Sequence, residues 1–165
     1  MNKLLIICID DEREILDSVV NDLKDFESHF DVEACQSAAE AEEVIQEANR
    51  VGQPLALVLC DHIMPETTGV DFLIQLTGQT ETKATRKVLL TGQAGLEETV
   101  EAVNHASLDY FIAKPWQKDE LNQVVKSQLT EYVIATEQDL IPWMAVLNTD
   151  DILKAISEKR MSFGE

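Results

Sequence analysis

Two uninterrupted apolar runs, Leu4–Ile9 and Leu55–Cys60, each end directly in aspartate: Asp10 and Asp11 follow the first, Asp61 the second. A short apolar run with no polar alternation suits a strand buried on both faces, which in practice means the interior of a parallel sheet. The segments between and after these runs carry apolar residues at helical spacing. Glu12 to about Phe26 places Ile15, Leu16, Val19 and Leu23 on one face. Ser37, with Glu40 three residues on, forms a capping box for a helix reaching about Arg50, where Gly52 and Pro54 break the chain. Val70 to Leu76 and Leu96 to His105 read as further helices, and Leu121, Val124, Val125, Gln128, Leu129 and Tyr132 mark a long one. Phe30–Cys35, Val88–Leu90 and Tyr110–Ile112 complete the strands. Strands alternating with helices in this way predict an α/β fold, a doubly wound five-stranded parallel sheet with right-handed crossovers. No Gly-rich dinucleotide fingerprint follows the first strand.

The 165 residues are enough for one domain with a sizeable core. The apolar runs are far too short to cross a bilayer, and the first ends in Asp10, Asp11 and Glu12, not in a cleavage site. A soluble, cytoplasmic chain is expected. Thirty-one acidic residues against thirteen basic ones give a formal charge of −18. That field repels phosphate backbones, so neither nucleic acid nor membrane insertion is expected; Lys83, Arg86 and Lys87 alone make no footprint. Cys8, Cys35 and Cys60 are widely spaced and have no metal-binding pattern, and Cys8 and Cys60 read as buried strand residues.

Charged and hydroxyl residues fall at the carboxyl ends of the strands: Asp10 and Asp11 after the first, Asp61 after the third, Thr91 after the fourth and Lys114 after the fifth. The ligand crevice of an open parallel sheet lies at those ends, where the winding direction reverses. Three carboxylates gathered there repel one another and call for a cation, and hard oxygen donors suit Mg²⁺. A carboxylate beside such an ion can attack phosphorus and form an acyl phosphate. Lys114 can neutralise a phosphoryl oxygen, and the Thr91 hydroxyl can donate to another. Any one of these residues alone would pass as a turn or a helix cap.

The segments IICIDDE, LVLCDHIMPETTGVDFL, VLLTG and DYFIAKPW together resemble the receiver domains of two-component response regulators, and they order the chain from its start to about Leu129. The resemblance implies a flavodoxin-like sheet of strand order 2-1-3-4-5. It implies Asp61 as phosphoacceptor, and Mg²⁺ held by Asp11, Asp61 and the backbone carbonyl of Ile63, with Asp10 acting through water. Lys114 would hold the phosphoryl group. Thr91 and Phe111 would form the switch, and the Lys114–Pro115 bond would be cis. The partners implied are a sensor histidine kinase or phosphotransfer protein and a downstream protein target. The segment LLTGQAG…AVNHASLDYFIAKPW is also similar to receivers often fused to cyclic-di-GMP phosphodiesterases or transcription activators.

Two positions depart from the common pattern: Ile63, two after the acceptor, is apolar, and Gln93 sits two after Thr91. Both border the path of the hydrolytic water, so phosphoryl lifetime does not carry over. His62 reads as a satisfied or exposed loop residue, not a second acceptor. The receiver is expected over residues 1–130 and a C-terminal helical extension over 131–165. In the extension Leu140, Ile141, Trp143, Met144, Val146 and Leu147 precede a helix from about Asp150, with Ile152, Leu153 and Ile156 on one face. So apolar a segment packs on its own domain, or on a second copy as a homodimer, or on a partner. The expected output surface combines the helix near Leu96, the last strand, the long helix and the tail around Trp143. Two other functions fit the same carboxylates: a Mg²⁺-dependent phosphohydrolase using an aspartyl-phosphate, and a phosphate sink or relay without conformational output. A haloacid-dehalogenase-like hydrolase would carry Asp-x-Asp after its first strand, and Asp10 and Asp11 are adjacent.

Overall fold

In the computed structural model, residues 2–92 and 108–162 are described. The expected helix from Leu96 to His105, and Gln93, lie outside them. Five strands, β1 (Leu4–Ile9), β2 (Phe30–Cys35), β3 (Leu55–Asp61), β4 (Arg86–Thr91) and β5 (Tyr110–Ala113), form one parallel sheet of order β2-β1-β3-β4-β5. The described helices are α1 (Arg13–Asp22), α2 (Ala38–Val51), α3 (Gly69–Thr77), α4 (Lys118–Thr136) and α5 (Thr149–Ser162).

The alternation along β1 explains why the sheet needs cover on both sides. Leu4, Ile6 and Cys8 enter one core with Leu16 and Val19 of α1 and Leu121, Val125 and Leu129 of α4. Leu5, Ile7 and Ile9 enter the other with Ala41 and Ile45 of α2 and Phe72 and Leu73 of α3. Side chains two apart share a face, so an all-apolar strand is the only one that satisfies both cores. The three cysteines are buried free thiols whose titration is pushed upward, first by burial. None is an activated thiolate.

Local signals set the helix boundaries. The Ser37 hydroxyl accepts from the Glu40 N–H at 3.1 Å, and the Glu40 carboxylate reaches back to the Gln36 N–H at 2.9 Å, one residue before the expected partner. Helix α2 ends at Gly52, whose φ of 76° is the left-handed conformation that closes helices. The first helix is shorter than its apolar spacing suggests: α1 stops at Asp22 and a 3₁₀ turn, Lys24–Phe26, completes the stretch.

Strand β4 begins two residues earlier than its apolar core, because Arg86 and Lys87 are strand residues in disguise. Lys87 is buried, and its ammonium donates to the carbonyls of Thr82, Lys83 and Thr85 at 3.3, 3.4 and 2.6 Å. Burial pulls its titration below the usual lysine range, against the attraction of Asp109. Arg86 donates to Gln128 at 2.8 Å and pairs with Glu131 at 2.7 Å, joining β4 to α4. These two members of the sequence's basic cluster are therefore internal struts. Lys87→Met should take this donor from the Lys83 and Thr85 carbonyls, while Thr82 keeps the Thr85 N–H, and lower stability by about 3 kcal/mol. Chemical denaturation measures this, and an unchanged midpoint would remove Lys87 from the structural role.

The C-terminal segment is part of the first core. Helix α4 runs past residue 130 to Thr136, and the chain then folds back so that Leu140, Trp143, Leu147 and Ile152 are buried with the sheet residues. The Trp143 ring lies 5.3 Å from that of Phe30 and 5.7 Å from that of His29, whose Nε2 is 3.1 Å from the Pro142 carbonyl. Trp143 is only 2% exposed, which removes it from the expected partner surface. Leu153 also differs from expectation: α5 buries Ile152 and Ala155, and Leu153 faces outward at 49% exposure. The helix presents a narrower apolar stripe than three nearby aliphatic residues suggest, because positions 152 and 153 are about 100° apart around its axis.

Candidate phosphoacceptor site

The winding direction reverses between β1 and β3, since β2 lies on one side of β1 and β3, β4 and β5 on the other. Asp10 and Asp11 leave the end of β1, and Asp61 is the last residue of its neighbour β3. Each of these three carboxylates offers an oxygen, and the three oxygens lie within 4.8 Å of one another. Asp10 and Asp61 are buried, and Asp11 is exposed.

Lys114, just beyond β5, completes the arrangement. Its Nζ is 3.0 Å from Asp10 Oδ2 and 3.0 Å from Asp61 Oδ1. Its backbone N–H donates to the Thr91 carbonyl at 2.9 Å, so the loop carrying it is fixed to the end of β4. Asp10 is held from both sides, because its Oδ1 accepts the Glu12 N–H at 2.9 Å at the start of α1. Burial pushes the Asp61 carboxyl above the usual aspartate range; the Lys114 hydrogen bond and charge oppose this, and Asp10 and Asp11 add to it. Burial works against the Lys114 charge, yet its bonds to Asp61 and Asp10 hold the ammonium above the ordinary lysine value. The pair is a charged, hydrogen-bonded couple that leaves one Asp61 oxygen for chemistry.

The remaining expected residues take these places. Thr91 is buried at the end of β4, with its hydroxyl donating to the Gly92 carbonyl at 3.0 Å. Ile63 sits in the loop after β3 with its side chain exposed. Phe111 lies on β5 opposite Leu89, partly exposed, with its ring 6.4 Å from that of Tyr110 in a stacked arrangement. The Lys114–Pro115 bond is cis. His62 is buried, and its Nδ1 lies 3.5 Å from the Val70 N–H.

Two supports were not identified from the sequence. Gly69 opens α3 directly against Asp61: its N–H donates to the His62 carbonyl at 2.9 Å, and a Cβ there would overlap the Asp61 carbonyl. Only glycine permits that approach, and the one signal was its place in the quoted motif, eight residues after Asp61. The second is a bond of 3.1 Å from the Trp116 indole N–H to Asp22 at the end of α1. The partners are 94 residues apart, and nothing in either segment marks the pairing.

Comparison with known proteins identifies the family to which this fold belongs. Residues 6–126 match the family described as the response regulator receiver domain. The hydrogenase transcriptional regulatory protein HoxA of Bradyrhizobium diazoefficiens is 26% identical over 155 residues, covering 94% of this chain and 30% of that protein. The response regulator Rre1 of Synechocystis is 28% identical over 124 residues, 75% of this chain and 51% of the relative. The match thus spans 30% of the length of the first relative and 51% of the second. Among solved structures, a CheY-like receiver domain protein from Methanospirillum hungatei superposes with a TM-score of 0.66 at 27% identity, covering 79% of this chain and 97% of that one. An uncharacterized protein from Neptuniibacter caesariensis gives a TM-score of 0.73 at 27% identity, over 84% and 96% of the two chains. With the five-stranded 2-1-3-4-5 sheet and the aspartate cluster at its switch point, these matches show that the chain belongs to the response regulator receiver domain family.

Proposed function

We propose that this chain is a phosphorylation-controlled receiver in which Asp61 accepts a phosphoryl group from a sensor histidine kinase or phosphotransfer protein and thereby controls a partner protein. The observation that carries the reading is the Lys114 ammonium held 3.0 Å from both Asp10 and Asp61 at the switch point of the sheet. An Asp61 oxygen attacks phosphorus, the donor's leaving group departs, and an acyl phosphate forms on the carboxylate. Lys114 then exchanges its contact with Asp61 for one with a phosphoryl oxygen. The Thr91 hydroxyl, released from the Gly92 carbonyl, donates to another. Phe111 reads that movement by packing alone, having no hydroxyl.

Receiver domains generally bind Mg²⁺ at such an acidic cluster, and the donor set fits it: Asp10, Asp11 and Asp61 offer closely spaced hard oxygens. The Ile63 carbonyl would join Asp11 and Asp61 as a direct ligand. Bound there, Mg²⁺ would neutralise the crowded carboxylates and the incoming phosphoryl charge. The protein acts on itself in this scheme and turns over no separate substrate. No helix among the described residues is long and apolar enough to cross a membrane, and a cytoplasmic location suits the kinase partner.

The test is incubation with a small phosphodonor and Mg²⁺. Intact-mass analysis should show one phosphoryl group, labile to hydroxylamine as acyl phosphates are; no incorporation under saturating donor would overturn the reading. The site's pH response follows from the raised Asp61 titration. A folded-state value above the unfolded one means that Asp61 stabilises the cation-free fold at low pH and loses that contribution as pH rises through the folded value. Protons therefore compete with Mg²⁺ at a higher pH than a free aspartate would allow. Mg²⁺ titrations across mildly acidic pH should show affinity falling early, and a midpoint at the ordinary aspartate value would contradict the buried geometry.

A further inference from the structure

Helix α1 is tied to the site at both ends. At its start, the Glu12 N–H holds Asp10 Oδ1 at 2.9 Å. At its last residue, Asp22 accepts the Trp116 indole N–H at 3.1 Å. Trp116 stands two residues after Lys114, and its ring packs, partly buried, against the first core. Between the two ties lies a groove of about 500 Å³ lined by Glu14, Ile15, Ser18 and Asp22 on one wall and by Lys114, Pro115 and Trp116 on the other. Only four residues separate β5 from α4, so the Lys114 loop has little slack of its own. The Lys114 N–H bond to the Thr91 carbonyl also holds this loop, at the residue that the proposed switch moves.

We infer that Asp22 and Trp116 form a positioning pair for Lys114: the bond from indole to carboxylate fixes the β5–α4 loop to α1, and the Glu12 N–H at the start of α1 in turn holds Asp10, so ammonium and carboxylates keep their spacing. This rests on the phosphoacceptor reading of the same site. A point charge placed by a side chain with four rotatable bonds is useful only when its backbone is held, because a displacement of about 1 Å at a reacting centre costs on the order of 10²-fold in rate. Hydrogen bonds to charged acceptors are stronger than neutral ones, which suits Asp22 to this task better than a neutral acceptor.

Two measurements on the full chain test the pair, one of them independent of phosphoryl transfer. Trp116→Phe keeps an aromatic ring against the core and loses the N–H with part of the indole, Asp22→Ala loses the acceptor alone, and Asp22→Asn keeps a carbonyl oxygen to accept the same bond. In the first, an amine-reactive reagent labels lysines under native conditions, and mass spectrometry reads Lys114 against Lys3 and Lys154 as internal standards. Lys114 labelling should rise about threefold or more in Trp116→Phe and Asp22→Ala, and fall between Asp22→Ala and the parent in Asp22→Asn, whose neutral oxygen accepts a weaker bond. Unchanged Lys114 labelling in the first two variants, or a rise shared by all lysines, would overturn the pair. In the second, initial rates of phosphorylation by acetyl phosphate with Mg²⁺ should fall several-fold in the same two variants. In a Lys114→Ala background the Trp116→Phe change should have no further effect, because the pair acts through that ammonium. Additive losses in the double variant would mean general loosening and defeat the inference. A parent that takes no phosphoryl group while the labelling result holds would instead defeat the phosphoacceptor reading and leave the pair standing.

Discussion

Asp61→Asn should reduce phosphoryl incorporation to background while the protein stays folded. The amide nitrogen is no nucleophile toward phosphorus, and neither neighbouring carboxylate is placed to take over. Both Asp10 oxygens are committed, Oδ1 to the Glu12 N–H and Oδ2 to Lys114. Asp11 is exposed and lies outside the Lys114 ion pair. The substitution also removes one of three crowded negative charges, so the variant should be no less stable than its parent in the absence of Mg²⁺. Intact-mass analysis after treatment with acetyl phosphate gives the answer, and circular dichroism confirms the fold. Equal labelling of the Asn variant would put the acceptor elsewhere.

Trp143→Ala should cost about 3–5 kcal/mol, the range for deleting a large buried ring. For a chain of this size that corresponds to a fall in melting temperature of roughly 10 °C. The ring is packed between Phe30 at the start of β2 and the core shared with Tyr132 and Val133 of α4. Its removal leaves a void that those neighbours, anchored in sheet and helix, cannot collapse to fill. The loss should reach the whole receiver, since the tail and the sheet share one core. Calorimetry on the parent and variant measures this. A melting temperature within a degree or two of the parent would show that the segment after Thr136 is an appendage.

The Trp143 result bears on where output can arise. A tail folded into the core closes the end of the sheet at which β2 begins, while the carboxylates occupy the opposite, carboxyl end of the strands. Under the proposed function, Tyr110 and Phe111, both partly exposed on the edge strand β5, are the described residues that remain available for output.

The sheet was legible in the chain because burial on both faces forces continuous apolar sequence, and Leu4–Ile9 and Leu55–Cys60 have it. The site was legible for a related reason: polar residues cannot continue such strands, so Asp10, Asp61, Thr91 and Lys114 mark the strand ends, and parallel topology gathers those ends. Where charge and burial coincide, the pattern misleads. Arg86 and Lys87 hid the first third of β4, because the Gln128 and Glu131 side chains that hold Arg86 come from α4, and Lys87 is satisfied by backbone carbonyls of the loop just before it, which no side-chain pattern reveals. The sequence alone determined the alternation of strands and helices, the cap at Ser37 and the identity of the residues brought to the crevice, all of which depend on local spacing and on the exclusion of charge from a two-sided core. Tertiary structure alone decided that Trp143 closes the core and that α1 joins Asp10 to the Lys114 loop through Asp22 and Trp116, because those contacts join segments about a hundred residues apart whose own sequences favour no particular partner.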